Sequence, residues 1–475
     1  MHQDLTQKRG PFPGKARTGS TVYFALTAWA MAWLSVTGLA VTGGILGCGV
    51  VEIPDGVVYP LRSNPLINLE KAPATAPPAF PPPGKPEVSL RWLADQGVAI
   101  LNPADLDSHE WGKAWRDEVN TFLMAQFGTP AKPRVGNEGS AAAAIGKLSA
   151  SLNLAPAVLE RGSKQYRRLC LHCHGLGGEG AGATSGWLNP LPRDFRQGEF
   201  KFISTAEHKL ETGNQPLKAR PRRVDILRTL HQGLDGTSMP SFALLAEEDI
   251  QALASYTLHL SIRGEVEYWA LYYALRQDAE TIKAFEKDPK KEAQARTARF
   301  LAGALEWEDP EADVEDFVAK TKDKLLTAGM EKLLDRLLRE YAAADNNPIQ
   351  PMADPYGDAP TTSQSLANGL KIFQGQCVNC HAGYGRQSAL RFDNWGGVVR
   401  PANLTTPVYK GGRRPVDLYY RIFRGIPPCG MPKANLQDGD PARQAWDLVR
   451  FLLAIPYPET LPPEIRQQIH GGAKQ

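Results

Sequence analysis

Apolar positions along the chain fall into three regimes. From Thr18 to Val51 no residue is charged. The run TVYFALTAWAMAWLSVTGLAVTGG within it exceeds the ~20 apolar residues that cross a bilayer, which predicts a transmembrane helix over 20–50. The stretch APATAPPAFPPPGKP (Ala72 to Pro86) carries no periodic face and reads as a stiff, extended linker. Further on, apolar positions return at helical spacing, and they do so twice. Gly162, Tyr166 and Cys170 lie four apart, as do Gly369, Phe373 and Cys377. On a helix this sets glycine, aromatic and cysteine on nearly one face, with the glycine admitting a close crossing. From Asp225 and from Asp417 the sequence matches D-[IL]-x-x-x-[LI]-x-x-G, a short amphipathic helix closed by Gly233 or Gly425. Closing helices follow with Leu253-x-x-Tyr256 and Leu448-x-x-Phe451. Residues 265–350 between the halves are helical by composition and rich in i,i+4 charge pairs.

Charge refines the first regime. Lys8, Arg9, Lys15 and Arg17, opposed by Asp4, keep the N-terminus in the cytoplasm. A cleaved signal peptide and a lipidated Cys48 are the alternatives, and all three send the remainder outside the cytoplasmic membrane. A net charge of +3 shows no nucleic-acid footprint. Six cysteines in 475 residues are too few for a disulfide framework once four are assigned below.

Those four stand in Cys170-Leu171-His172-Cys173-His174 and Cys377-Val378-Asn379-Cys380-His381. C-x-x-C-H is the pattern of covalent c-type haem attachment. Each thiol adds to one porphyrin vinyl group, and His174 or His381 binds the iron from one face. A zinc site would need further ligands nearby, and a redox C-x-x-C needs a βαβ setting that the pattern lacks. Two covalently bound haem c groups are therefore expected. Six residues past Gly233 and Gly425 stand Met239-Pro240 and Met431-Pro432, and a methionine as second axial ligand raises the potential. His208 and His231 compete with Met239, and Cys429 competes with Met431. The two motifs lie 377 − 170 = 207 residues apart, a tandem repeat of one unit.

Each half resembles a class I cytochrome c: a helix ending in C-x-x-C-H, loops, a Met-Pro loop, and a closing helix crossing the first. The resemblance covers about 150–265 and 360–460. It implies an α-helical fold wrapped around haem, and with the N-terminal run the expected fold is mainly α, one N-terminal transmembrane helix followed by two class I cytochrome c domains separated by a helical spacer. The expected division is a cytoplasmic N-terminus 1–19, an anchor 20–50, and a linker with a small unassigned unit 51–150. Domain 1 then spans 151–265, the spacer 266–355 and domain 2 356–475. The resemblance also implies a proline carbonyl that fixes each axial histidine, with Pro190, Pro192 and Pro401 as candidates. Arg193, Arg400, Arg222-Arg223 and Arg413-Arg414 are candidate partners of haem propionates. The expected function is a membrane-anchored, single-pass electron carrier with its haem domains periplasmic. It would run between a quinol-oxidising complex of the cytochrome bc type and a terminal oxidase or reductase, with the lipid bilayer as a further partner. The alternatives are the cytochrome subunit of a dehydrogenase and a dihaem peroxidase, against which the two Met-Pro loops argue.

Overall fold

The computed structural model of the protein describes residues 54, 56–68, 85, 87–136, 142–206, 220–275, 297, 300, 325–436 and 439–471. The chain divides into Met1–Glu52 and Ile53–Gln475, and every described residue belongs to the second unit. That unit is mainly helical, as expected. α1 (Glu87–Asp95), α2 (Glu110–Phe127) and α3 (Ala142–Ser151) precede α4 (Pro156–Leu169), α5 (Arg223–Gln232) and α6 (Glu247–Leu275). α7 (Leu325–Asp345) leads to α8 (Ser363–Gln376), α9 (Pro415–Arg424), α10 (Pro441–Ala454) and α11 (Pro463–His470). β1 (Leu66–Asn68) pairs antiparallel with β2 (Ala99–Leu101), Leu66 opposite Leu101. β3 (Arg391–Phe392) pairs antiparallel with β4 (Val398–Val399), Phe392 opposite Val398.

Two cores carry the fold. The first draws on α2, α3, α4, α6 and α7 with Tyr59 and Leu66, and the second runs from Ile349 to Ile469 through α8, α9 and α10. Each contains the same crossing. Pro156 at the first position of α4 has its ring pre-set for a helix, and Leu159, Gly162 and Tyr166 bury one face. A Cβ on Gly162 would lie 2.8 Å from the Tyr256 Cβ of α6 and closer still to the Ala252 carbonyl, so α4 and α6 meet backbone to backbone. α8 starts on a Thr362 cap, whose hydroxyl accepts from the Ser365 N–H at 3.1 Å. Gly369 presses on Asp447 and on Phe451, whose Cβ would lie 2.5 Å from an added methyl, so α8 crosses α10 in the same way. The rings of Phe373 and Phe451 lie 5.8 Å apart in that crossing. Burying each contributes about 1.5–3 kcal/mol.

The short helices repeat as well. Asp225 and Asp417, the third residues of α5 and α9, accept from the backbone N–H of Arg222 and Arg414 at 3.0 and 3.1 Å. These helices end on Gly233 (φ 69°) and Gly425 (φ 75°), a left-handed backbone that glycine adopts without strain. α7 does not stand apart from the first core. It packs on α2, α3 and α6, and Met330, Leu334, Leu338 and Tyr341 are buried there.

One expectation is corrected. No helix among the described residues is long and apolar enough to cross a membrane, and residues 20–50 lie outside them. The longest, α6, has 29 residues but carries Glu247, Glu248, Asp249, Arg263, Glu265 and Glu267. The transmembrane helix, the bilayer as a partner and the single-pass location with a cytoplasmic N-terminus are therefore unsupported. Cys48, His208 and most of 266–324 also lie outside the described residues.

Candidate functional site

The two C-x-x-C-H segments leave their helices with the same hydrogen bonds. The Cys170 N–H donates to Tyr166 O at 2.8 Å and the Cys377 N–H to Phe373 O at 2.8 Å. One turn later the His174 N–H donates to Cys170 O, and the His381 N–H to Cys377 O, each at 2.9 Å. These bonds bring both cysteines and the histidine of each motif onto one turn. None of the five described cysteines forms a disulfide. Burial pushes the Cys170 thiol up to about 12 and the Cys377 thiol up to about 11, with the second cysteine of each motif adding to the shift.

Each histidine ring is oriented by a backbone carbonyl. His174 Nδ1 lies 3.1 Å from Arg193 O, and His381 Nδ1 lies 3.1 Å from Ala402 O. With a carbonyl as partner, Nδ1 carries the proton and Nε2 remains the lone-pair nitrogen that can bind a metal. The carbonyls belong to the residues just after Pro192 and Pro401. The expected proline carbonyls are thus displaced by one position, because each proline directs the chain while its successor faces the ring. Burial pushes His174 down to about 4 and lowers His381 as well, which favours the neutral imidazole, the form that ligates. Phe195 stacks on the His174 ring at 4.8 Å, a contact invisible in the sequence pattern.

The Met-Pro loops also repeat. The Leu234 N–H donates to Met239 O at 3.1 Å and the Ile426 N–H to Met431 O at 2.8 Å. Beyond them the Phe242 N–H returns to Leu230 O, and the Ala434 N–H to Ile422 O, both at 2.8 Å. A Cβ on Gly233 would lie 2.7 Å from Met239 O, and one on Gly425 would lie 2.6 Å from the Pro432 carbonyl carbon. Glycine at the helix end is what lets each loop fold back. Met239 packs on the same core as Cys170 and Phe195, and Met431 is half-buried. In the second half Gln376, next to Cys377, bonds Asn435 reciprocally at 2.7 Å, tying the motif to the methionine loop.

His231 Nε2 pairs with Glu247 at 3.2 Å at the surface, and Cys429 ends a short 3₁₀ turn over Pro427–Cys429. The candidate arginines have protein partners: Arg223 holds Gln251 O and Ser255 Oγ, Arg413 holds Tyr457 and Leu453 O, and Arg414 pairs with Asp417. Arg222 reaches Ser204 Oγ, and Arg400 reaches Ser388 O.

Residues 159–261, which contain Cys170, Cys173, His174 and Met239, match the family model for cytochrome c. This segment is similar to cytochrome c domains, a class that holds covalently bound haem c and transfers electrons. No curated protein matches the chain. Among solved structures, the chain is similar to one in the Kuenenia stuttgartiensis reducing HAO-like protein complex Kustc0457/Kustc0458. That similarity has 20% identity and a TM-score of 0.38, and covers 62% of this chain and 96% of that one.

Proposed function

We propose that the chain is a dihaem c-type cytochrome that carries single electrons between protein partners. Cys170 and Cys173 would bind one haem, with His174 and Met239 on its iron. Cys377 and Cys380 would bind the second, with His381 and Met431. The observation that carries this reading is the repetition in both halves of one arrangement: a histidine fixed at Nδ1 by a carbonyl at 3.1 Å, together with a methionine loop pinned to the residue that follows a helix-end glycine. The donor set fits the group, since each motif offers two free thiols and one neutral imidazole with Nε2 available.

A bound haem supplies a one-electron couple. The chain's own residues do the remainder. Arg193 O and Ala402 O hold the imidazoles in one tautomer and orientation, and the backbone bonds at Met239 and Met431 fix the thioether loops. Coordination fixed by these residues would change little on electron transfer, which would keep it fast, and would leave no position for peroxide. The partners we propose are a quinol-oxidising complex on one side and a terminal oxidase or reductase on the other, with the chain also able to serve as a subunit of such an assembly.

The test is the haem count. Denatured protein should retain two haems per chain, with the c-type pyridine haemochrome spectrum. Cys170→Ala with Cys173→Ala should leave one. A wild-type protein with one haem would overturn the dihaem reading.

A further inference from the structure

The second half reaches into the first at the segment that orients His174. The turn between β3 and β4 presents Trp395 to Arg193, whose guanidinium carbon lies 3.4 Å from the centroid of the Trp395 ring. The Trp395 Nε1–H donates to Asp194 O at 3.1 Å. One indole therefore grips two consecutive residues, the first of which supplies the carbonyl on His174 Nδ1.

The turn is itself built to hold that ring. The buried Asp393 Oδ1 accepts from the N–H groups of Trp395 at 3.2 Å and Gly397 at 2.9 Å, and Asp393 N–H donates to Gly397 O at 2.9 Å. Across the boundary Asp393 Oδ2 pairs with Lys201 at 3.0 Å, and Asn394 Nδ2 donates to Glu199 at 2.8 Å. Both pairs fall on the first half within eight residues of Arg193. On its other side the Asn394 N–H donates to Pro428 O at 2.9 Å, inside the loop that leads to Met431. The arrangement is one-sided: the carbonyl that orients His381 belongs to Ala402, whose methyl gives an indole no charge to stack on.

We infer that Trp395 is a positioning residue for the axial histidine of the first haem, supplied by the second half, and that its turn links the His174 carbonyl to the Met431 loop. It acts through Arg193 and Asp194 rather than on the imidazole itself. An arginine stacked on an indole and a tryptophan N–H on a carbonyl are each modest interactions. Together they are enough to fix a loop and too little to decide whether the protein folds.

This inference rests on the dihaem reading. The test uses the full chain loaded with haem, and reads the low-spin ferric electron paramagnetic resonance signals together with a potentiometric titration. Met239→Ala and Met431→Ala, each abolishing one His/Met signal, assign the two haems. Trp395→Ala should shift the signal and midpoint potential of the Cys170 haem and leave those of the Cys377 haem in place. Trp395→Phe, which keeps the stack and loses the N–H, should give a smaller shift in the same direction. Arg193→Met keeps the carbonyl and removes the guanidinium, and should move the same signal. Two haems per chain with the first signal unmoved in all three variants would overturn the inference alone, as would an equal shift in the second. A single haem per chain would instead overturn the dihaem reading; at Cys170 its signal would still answer the question about Trp395, and at Cys377 it would overturn the inference as well.

Discussion

Replacing Arg220 tests whether α6 and α7 are joined by charge. Arg220 is 2% exposed. Its Nη1–H donates to Glu265 Oε2 at 2.7 Å, while Nε and Nη2 reach Glu340 Oε2 at 2.8 and 2.6 Å. Both glutamates are fully buried, and Glu340 has a second partner in Arg336 at 2.7 Å. Arg220→Met takes the guanidinium away from two desolvated carboxylates, a kind of loss that costs about 3–5 kcal/mol. Arg220→Met with Glu265→Gln removes charge from both sides and should recover more than half of it. Burial alone would push the Glu340 carboxyl up. Arg220 and Arg336 outweigh that and hold it below its ordinary value of 4.5. Its folded value is therefore the lower one, so the stability it contributes is complete above pH 4.5 and is lost as pH falls through the folded value. The difference between protein and variant should accordingly narrow below pH 4.5. Urea denaturation followed by far-ultraviolet circular dichroism at about pH 7 and about pH 4 measures both effects. A loss below about 1 kcal/mol near neutral pH, the size of an ordinary hydrogen bond, would refute the reasoning. So would a double variant no more stable than the single one.

The other predictions concern the proposed haem sites, a helix crossing and a buried histidine. In the oxidised protein, Met239→Ala should remove about half of the weak sulfur-to-iron absorption at the red end of the visible spectrum, and Met431→Ala the remainder; an unchanged band in either would remove that methionine from the iron. Gly369→Ala forces a methyl against Phe451 and Asp447, and should destabilise the second half by about 1–3 kcal/mol in denaturant titration, an effect absent if the crossing is loose. His259 is pushed down to about 3 by burial, with Arg263 adding to it, against an ordinary 6.5. Below pH 6.5 the unfolded chain alone takes up its proton, so stability should fall by about 1.4 kcal/mol per pH unit on this account. His259→Gln should flatten that slope, and an unaltered slope would show that the residue is not the source.

Much of the helical framework is legible in the sequence because it is local. Spacing four apart puts Gly162 with Tyr166 and Gly369 with Phe373 on buried faces, and the glycine-closed helices end at Gly233 and Gly425 as the pattern requires. Non-local contacts leave no such trace. The Trp395 turn meets Arg193 only through the packing of the two halves, and an isolated tryptophan beside two glycines reads as loop. α6 is buried along most of its length, so it lacks the polar stripe that marks an ordinary surface helix, and Glu265 finds its charge partner far away in sequence. The carbonyls on His174 and His381 fall one residue past the prolines that the pattern singles out, because a proline is conspicuous and its neighbour is not. An uncharged run at the N-terminus reads as a membrane span on length alone, and no described helix supports it.

The Trp395 contact has a consequence for biogenesis. The turn lies 395 − 193 = 202 residues downstream of the arginine it grips. At about 5–20 residues per second, a ribosome needs roughly 10–40 s to deliver it after Arg193 has been made. The Cys170 motif is therefore complete well before the indole that grips Arg193 exists. The loop that orients His174 is closed only when the far end of the chain has folded against it.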